Sequence, residues 1–125
     1  MANHILVVDD HPINLKLVSE LLEYEGYTID RAPDAESAIE IIKRRPPDLI
    51  LMDIALPGMD GFTLTRMLKE NDETKNIIII ALTSFAMKGD ELKAIEAGCD
   101  DYVSKPIDTR TLPVRIKELL QKRIR

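Results

Sequence analysis

Residues 49–53 read LILMD, a run of four apolar residues that ends on an aspartate. Three further runs also end on polar residues: ILVVDD over residues 5–10, IIIIALT over residues 77–83 and YVSKP over residues 102–106. The first three of these four runs are continuously apolar and too short for helices, which is typical of strands buried on both faces of a parallel sheet. The carboxyl ends of such strands share one edge of the sheet. At this edge we expect Asp9, Asp10, Asp53, Thr83 and Lys105.

Amphipathic stretches with helical spacing lie between the apolar runs, so strands and helices alternate along the chain. This alternation predicts an α/β fold, a doubly wound parallel sheet with five helices on both faces. The second strand, TIDRA, reads as an edge strand. The predicted strands are Ile5 to Val8, Thr28 to Ala32, Leu49 to Met52, Ile77 to Leu82 and Asp101 to Ser104.

The predicted helices are bounded by capping residues and helix breakers. The first runs from about Ile13 to Glu25, with a buried stripe and with Gly26 in a left-handed conformation as its stop. Asp34 is expected to cap the second, which Pro46 and Pro47 end. The stripe of the first helix is Ile13, Leu17, Leu21 and Leu22; the third helix starts at Asp60 or Gly61 and buries Phe62, Leu64, Met67 and Leu68; the fourth spans Lys88 to Ala97; the fifth begins near Asp108, with Leu112, Ile116, Leu119 and Leu120 on its core face.

A length of 125 residues, with 45% hydrophobic and 31% charged residues, is typical of a single soluble domain. Lys and Arg number 17 and Asp and Glu number 22, a net charge of −5 that argues against direct binding to nucleic acid or to an acidic membrane. No apolar run reaches the roughly 20 residues that span a bilayer. The single cysteine, Cys99, forms no internal disulfide, and we therefore expect a cytoplasmic protein.

The three aspartates at the sheet edge predict a divalent cation. Two carboxylates about 5 Å apart repel each other by roughly 3 kcal/mol at an effective dielectric constant near 20, so either a pKa rises or a cation binds. An all-oxygen set suits Mg²⁺, or alternatively Mn²⁺, better than Zn²⁺. Beside such an ion Asp53 could attack phosphorus as a nucleophile, with Lys105 and Thr83 contacting phosphoryl oxygens.

Four blocks of the sequence together resemble the receiver domains of two-component response regulators: VVDDHPIN (7–14), LILMDIALPGMDG (49–61), ALTSFA (81–86) and DYVSKP (101–106). The resemblance covers essentially the whole chain and implies a flavodoxin-like sheet in the order 2-1-3-4-5. It also implies a signalling switch that catalyses only its own phosphorylation and dephosphorylation and is not otherwise an enzyme.

The resemblance implies a role for each matching residue. Asp53 would be the phosphorylated residue and, with Asp9, Asp10 and the carbonyl of Ala55, would hold Mg²⁺. Thr83 and Tyr102 would be the switch residues. Lys105 would bind the phosphoryl group, preceding a cis peptide bond to Pro106.

The implied partners are a histidine kinase or histidine phosphotransfer protein as donor, and a downstream protein on the surface of the fourth helix, fifth strand and fifth helix. The protein would be a monomer or a phosphorylation-dependent dimer. Residues 1–125 are expected to form a single receiver domain of the stand-alone chemotaxis or cell-cycle type, without an effector domain. A receiver excised from a longer protein is the alternative.

Two positions depart from the commonest receivers and predict a long-lived phosphoryl group. Ala55 and Phe85 each stand two residues beyond a site residue and offer no polar group to position an attacking water. Two other functions stay open: a phosphatase of the dehalogenase-like class, which would want an acid where Ala55 stands, and a flavin- or nucleotide-binding module, which Asp9 and Asp10 disfavour.

Overall fold

A computed structural model describes residues 3–83 and 88–123, with side chains described for 3–83 and 91–122. Strands and helices alternate, as the apolar pattern predicts. The strands are β1 (His4–Val8), β2 (Thr28–Ala32), β3 (Leu49–Asp53), β4 (Ile78–Thr83) and β5 (Asp101–Ser104). The helices are α1 (Pro12–Tyr24), α2 (Ala35–Arg44), α3 (Gly61–Glu70), α4 (Lys88–Ala97) and α5 (Thr111–Arg123).

The five strands form one parallel sheet in the order β2-β1-β3-β4-β5. The predicted α/β class, the strand order and the position of β2 at an edge are confirmed. The order reverses between β1 and β3, and in open α/β sheets ligands bind beyond the carboxyl ends of the strands at such a reversal.

Successive side chains of each strand point to opposite faces of the sheet and pack into two separate hydrophobic cores. Leu6, Ile50 and Met52 pack with α2 and α3 on one face, whereas Ile5 and Leu51 pack with α1 and α5 on the other. Burial on both faces explains why β1, β3 and β4 are apolar at successive positions. The central strands are therefore held firmly up to the residues at which they end.

The predicted buried stripe of α1 is wrong at two positions. Ile13 is 72% exposed and Leu17 is 53% exposed, while Val18 and Leu22 are buried. Because each helical residue turns about 100°, the stripe through residues 18 and 22 is rotated by one position from the predicted one. The N-terminal half of α1 thus presents aliphatic side chains at the surface.

Met67 of α3 is also exposed, at 46%, where the sequence predicts burial. The contact face of α3 includes Thr65, whose Oγ1 donates a hydrogen bond of 2.7 Å to the carbonyl of Gly61. Because this hydrogen bond satisfies its hydroxyl, Thr65 can be buried. It occupies a place on the contact face that the apolar pattern alone predicts for Met67.

Most predicted helix ends are confirmed. The side chain of Asp34 accepts a hydrogen bond of 2.7 Å from the Ser37 backbone N–H, and Gly26 has a φ of 100°. The exception is α5, which begins at Thr111 because the Asp108 carboxylate accepts a hydrogen bond of 2.8 Å from the Arg110 N–H and forms a turn. Among the described residues, no helix is long and apolar enough to cross a membrane.

Candidate functional site

Three carboxylates meet at the carboxyl edge of the sheet where the strand order reverses. Asp9 and Asp10 follow β1, and Asp53 is the last residue of β3. Each offers an oxygen within 4.8 Å of the other two. Asp9 and Asp53 are 1% and 3% exposed, whereas Asp10 is exposed to solvent. Most of this negative charge is therefore held where water screens it poorly.

Lys105, in the loop after β5, supplies the positive charge of the site. Its Nζ lies 3.3 Å from Asp9 Oδ2 and 3.2 Å from Asp53 Oδ2. The Lys105 backbone N–H donates a hydrogen bond of 2.6 Å to the carbonyl of Thr83, and the peptide bond to Pro106 is cis. The backbone thus fixes this loop against the end of β4, and the ammonium group bridges two buried carboxylates.

Backbone N–H groups orient both buried carboxylates. The N–H of His11 donates a hydrogen bond of 2.9 Å to Asp9 Oδ1, and that of Ala55 donates one of 3.0 Å to Asp53 Oδ1. In each case the donor lies two residues after the aspartate, where the chain turns out of the strand. One oxygen of each carboxylate is held by the backbone, and the other faces Lys105.

Thr83, at the end of β4, is fully buried. Within the described part of the chain, no group lies at hydrogen-bonding distance from its Oγ1. A buried hydroxyl without a partner is destabilising unless another group satisfies it. Among the described residues, the Thr83 hydroxyl therefore has a hydrogen-bonding capacity that the fold does not use.

Burial raises the pKa of the Asp9 carboxyl above its ordinary value, and the nearby Asp53 charge raises it further. The hydrogen bond from the His11 N–H and the charge of Lys105 act in the opposite direction without cancelling the effect of burial. In the absence of a cation, the ionised form of Asp9 is accordingly disfavoured.

Asp9→Asn is expected to raise the free energy of unfolding of the metal-free protein at pH 7, because burial disfavours the ionised carboxylate that it removes. The pKa of Asp9 is higher in the folded protein than in the unfolded chain. Protonation of Asp9 therefore stabilises the fold fully below the pKa of the unfolded chain, and this stabilisation is lost as pH rises through the pKa of the folded protein. The advantage of the variant should grow over that interval. Urea unfolding in chelator at several pH values measures it.

The exposed Asp10 provides the matched control, since Asp10→Asn should change metal-free stability less. An Asp9→Asn protein that is less stable than wild type in chelator would contradict the argument from burial.

The donor set fits a hard divalent cation. Three carboxylates from two neighbouring strand ends offer oxygens close enough to share one ion, and oxygen ligands are those that Mg²⁺ and Mn²⁺ prefer. A dication would also remove the repulsion that disfavours ionised Asp9.

Most of the chain matches one known protein family. The model of the response regulator receiver domain matches residues 5–117. The chain belongs to this family. Receiver domains are the signalling switches of two-component systems and typically bind a divalent metal.

The receiver is similar to whole proteins and solved structures along nearly its full length. It is 41% identical to the polar-differentiation response regulator DivK of Brucella anthropi over 96% of this chain and 98% of that one. A CheY-like receiver domain protein from Methanospirillum hungatei superposes with a TM-score of 0.91 at 31% identity, covering 98% and 97% of the two chains. The receiver domain of a histidine kinase from Syntrophus aciditrophicus gives 0.90 at 32% identity, covering 97% and 92%.

Tyr102 is half-buried on the edge strand β5 of the receiver. It lines a groove of about 370 Å³ between β5 and the start of α5, together with Thr111 and Arg115. Arg115 Nη1 donates a hydrogen bond of 2.9 Å to the Tyr102 carbonyl. Phe85 lies outside the described residues, whereas the Ala55 side chain is exposed beside Asp53.

Sequence reasoning missed the backbone N–H groups of His11 and Ala55, which hold the Asp9 and Asp53 carboxylates in the receiver site. A backbone N–H is present at almost every residue, so no sequence signal marks the two that orient the carboxylates. It also missed a groove of about 390 Å³ beside Lys105, lined by Leu17, Val18 and Ile107 among others. The exposure of Leu17 could have been found only from the rotation of α1.

Proposed function

We propose that this receiver is a Mg²⁺-dependent phosphoaspartate switch in which Asp53 accepts a phosphoryl group from a phosphohistidine. The donor would be a histidine kinase or a histidine phosphotransfer protein. The observation that carries the proposal is the bridging of the Asp9 and Asp53 carboxylates by the Lys105 ammonium, because it places a nucleophile and an anion-binding group side by side.

In the proposed reaction an Asp53 carboxylate oxygen attacks the phosphorus of the donor. A P–O bond forms, the P–N bond to the donor histidine breaks, and its electron pair returns to the imidazole nitrogen. Hydrolysis later transfers the phosphoryl group from Asp53 to water, which yields inorganic phosphate and the free carboxylate. Water is the only reactant that this return to the starting state consumes.

Each site residue has a separate role in this scheme. Lys105 would move from its carboxylate partners to a phosphoryl oxygen, and the Thr83 hydroxyl would donate to another. Asp9, Asp10, Asp53 and the Ala55 carbonyl would hold Mg²⁺, with Mn²⁺ as a substitute. When bound, the cation neutralises charge on the carboxylates and the phosphoryl group.

The N-terminal half of α1 would receive the donor protein. Ile13 and Leu17 are exposed there, and the adjoining groove reaches Lys105. Exposed aliphatic side chains that border a charged site suit the apolar face of a donor helix. Pro12 and Asn14 begin this surface.

The output would pass from Thr83 to Tyr102. Hydrogen bonding of Thr83 to the phosphoryl group would leave space for Tyr102 to turn inward, changing the α4–β5–α5 surface that meets a downstream protein. We further propose that residues 1–125 act as a single receiver domain in the cytoplasm, through protein contacts, as a monomer or a phosphorylation-dependent dimer.

Incubation with acetyl phosphate tests the proposal directly. Intact mass should show one added phosphate with Mg²⁺ present and none in excess chelator. Steady hydrolysis of a small aryl phosphate with many turnovers would instead favour the phosphatase alternative. Absence of any adduct at saturating acetyl phosphate and Mg²⁺ would refute the proposed function.

The phosphoryl group on Asp53 should survive for minutes rather than seconds in Mg²⁺ buffer. The Ala55 side chain is exposed next to Asp53 but offers no hydrogen bond to an attacking water. Ala55→Asn, which adds a polar group there, should shorten the lifetime. Decay of the adduct after removal of acetyl phosphate measures both proteins, and loss within seconds in the wild type would contradict the prediction.

A further inference from the structure

Gly61, the first residue of α3, differs in backbone conformation from Gly26, Gly58 and Gly98. Gly26, Gly58 and Gly98 have φ values of 100°, 73° and 100°, which favour glycine over residues with side chains. The φ of Gly61 lies outside this left-handed range. Any need for glycine at position 61 must therefore come from space and not from backbone conformation.

The space at Gly61 is taken by the backbone that carries Asp53. A Cβ at position 61 would lie 2.7 Å from the Asp53 carbonyl oxygen and 2.7 Å from Ile54 Cα. It would also lie 3.0 Å from Met52 Cγ. A side-chain carbon can move aside, but the two backbone atoms belong to the last residue of β3 and the residue after it. The start of α3 thus packs directly on the Asp53–Ile54 peptide.

This close approach closes the loop over residues 54–61. The Gly61 N–H donates a hydrogen bond of 3.2 Å to the Ile54 carbonyl, and the Ile54 N–H donates one of 3.2 Å to the Leu82 carbonyl of β4. Ile54 is consequently held from both sides. The next residue, Ala55, is then placed so that its N–H reaches Asp53 Oδ1 at 3.0 Å.

We propose that Gly61 is a positioning residue for the Asp53 carboxylate, acting through the Ile54 peptide and the Ala55 N–H. A methyl group at position 61 cannot be accommodated while Leu82 holds Ile54 on the other side. The loop must open, and Ala55 moves away from Asp53 Oδ1. This inference rests on the proposed function, since it names what orients the phosphoryl acceptor.

Gly61→Ala tests the proposal with a readout that needs neither metal nor phosphate. Amide hydrogen exchange by NMR in chelator should show the Ala55 N–H protected in wild type and exchanging about ten-fold faster in the variant, as expected for the loss of one hydrogen bond. The Mg²⁺ dissociation constant should rise about ten-fold. The rate of phosphorylation by acetyl phosphate should fall about 100-fold, the typical effect of a 1 Å misplacement.

Two variants separate positioning from general loss of stability. Gly58→Ala strains the backbone of the same loop, but its Cβ meets no atom within 4 Å. Leu120→Ala removes a buried side chain of α5. Both should lower the melting temperature while keeping the Ala55 amide protected and Mg²⁺ affinity within two-fold of wild type.

Either of two results would overturn the proposal: an Ala55 amide that is equally protected in wild type and Gly61→Ala, or equal losses of Mg²⁺ affinity in Gly61→Ala and Leu120→Ala. If Gly61→Ala does not fold, the wild-type protein still provides a test, because Ala55 and Gly61 amides that exchange freely would show that the loop is open. If neither the wild type nor any of these variants binds Mg²⁺ or accepts a phosphoryl group, the proposed function is refuted. The exchange rate of the Ala55 amide would still decide whether Gly61 positions Asp53.

Discussion

Asp53→Asn is expected to abolish the phosphate adduct that acetyl phosphate and Mg²⁺ produce on the wild-type receiver. The substitution keeps the size of the side chain and an oxygen that can accept the hydrogen bond from Ala55. It removes the anionic oxygen that would attack phosphorus, and an amide is too weak a nucleophile to replace it. Intact mass spectrometry over the time course of wild-type labelling provides the measurement.

Asp34→Asn is the matched control for this experiment. Asp34 is another aspartate that follows a strand end, and asparagine can replace it as the N-cap of α2. This control should take up phosphate as wild type does. An adduct on Asp53→Asn of the same extent and stability as on the wild type would assign the acceptor to another residue and remove the central element of the proposed function.

Lys105→Met is expected to have the second largest effect, in two separable measurements. Without the ammonium, Asp9 and Asp53 are left buried and unpaired, so the metal-free protein should lose about 3 kcal/mol of stability at pH 7. Loss of the group that contacts the phosphoryl oxygens should slow phosphorylation by about 100-fold.

The stability deficit of Lys105→Met should depend on pH. Lys105 lowers the pKa of Asp9, so its removal raises further a pKa that burial has already raised. The deficit should therefore be full above that raised pKa and shrink as pH falls, because a protonated carboxyl needs no counter-charge. Mg²⁺ should restore part of the stability of the variant at pH 7.

Lys117→Met, at an exposed position of α5, supplies the comparison for loss of one positive charge. It should leave stability and phosphorylation close to wild type. A Lys105→Met protein as stable in chelator as Lys117→Met at pH 7 would show that the carboxylates do not depend on the ammonium.

The fold was predictable to a large extent because its signals are local. The continuous apolar runs of β1, β3 and β4 mark buried strands, and Asp34 and Gly26 mark helix ends through their own hydrogen bonds and dihedral angles. The errors on α1 and at Met67 came from helix rotation. The spacing of apolar residues leaves that rotation uncertain by one residue when a buried hydroxyl, such as that of Ser19 or Thr65, can donate to a backbone carbonyl of its own helix.

The gathering of Asp9, Asp53 and Lys105 at one edge of the sheet was predictable, but the contacts among them were not. Asp9, Asp53, Thr83 and Lys105 all stand where an apolar run ends, and parallel strands must bring such ends to one edge. The bridging position of Lys105, 96 residues along the chain from Asp9, follows from strand order and loop conformation, and no local pattern encodes it.

The sequence by itself determined which chemical groups are available and at which edge of the sheet they gather. The order of apolar and polar residues indicates which segments are buried strands and at which residue each strand ends. Only the tertiary structure decided how those groups are held. The bridging of Asp9 and Asp53 by Lys105, the burial of the Thr83 hydroxyl and the contact of Gly61 with the Asp53 carbonyl all depend on segments that meet only when the sheet and its helices are packed. Such contacts depend on distances of a few tenths of an ångström, which residue types and spacing along the chain do not specify.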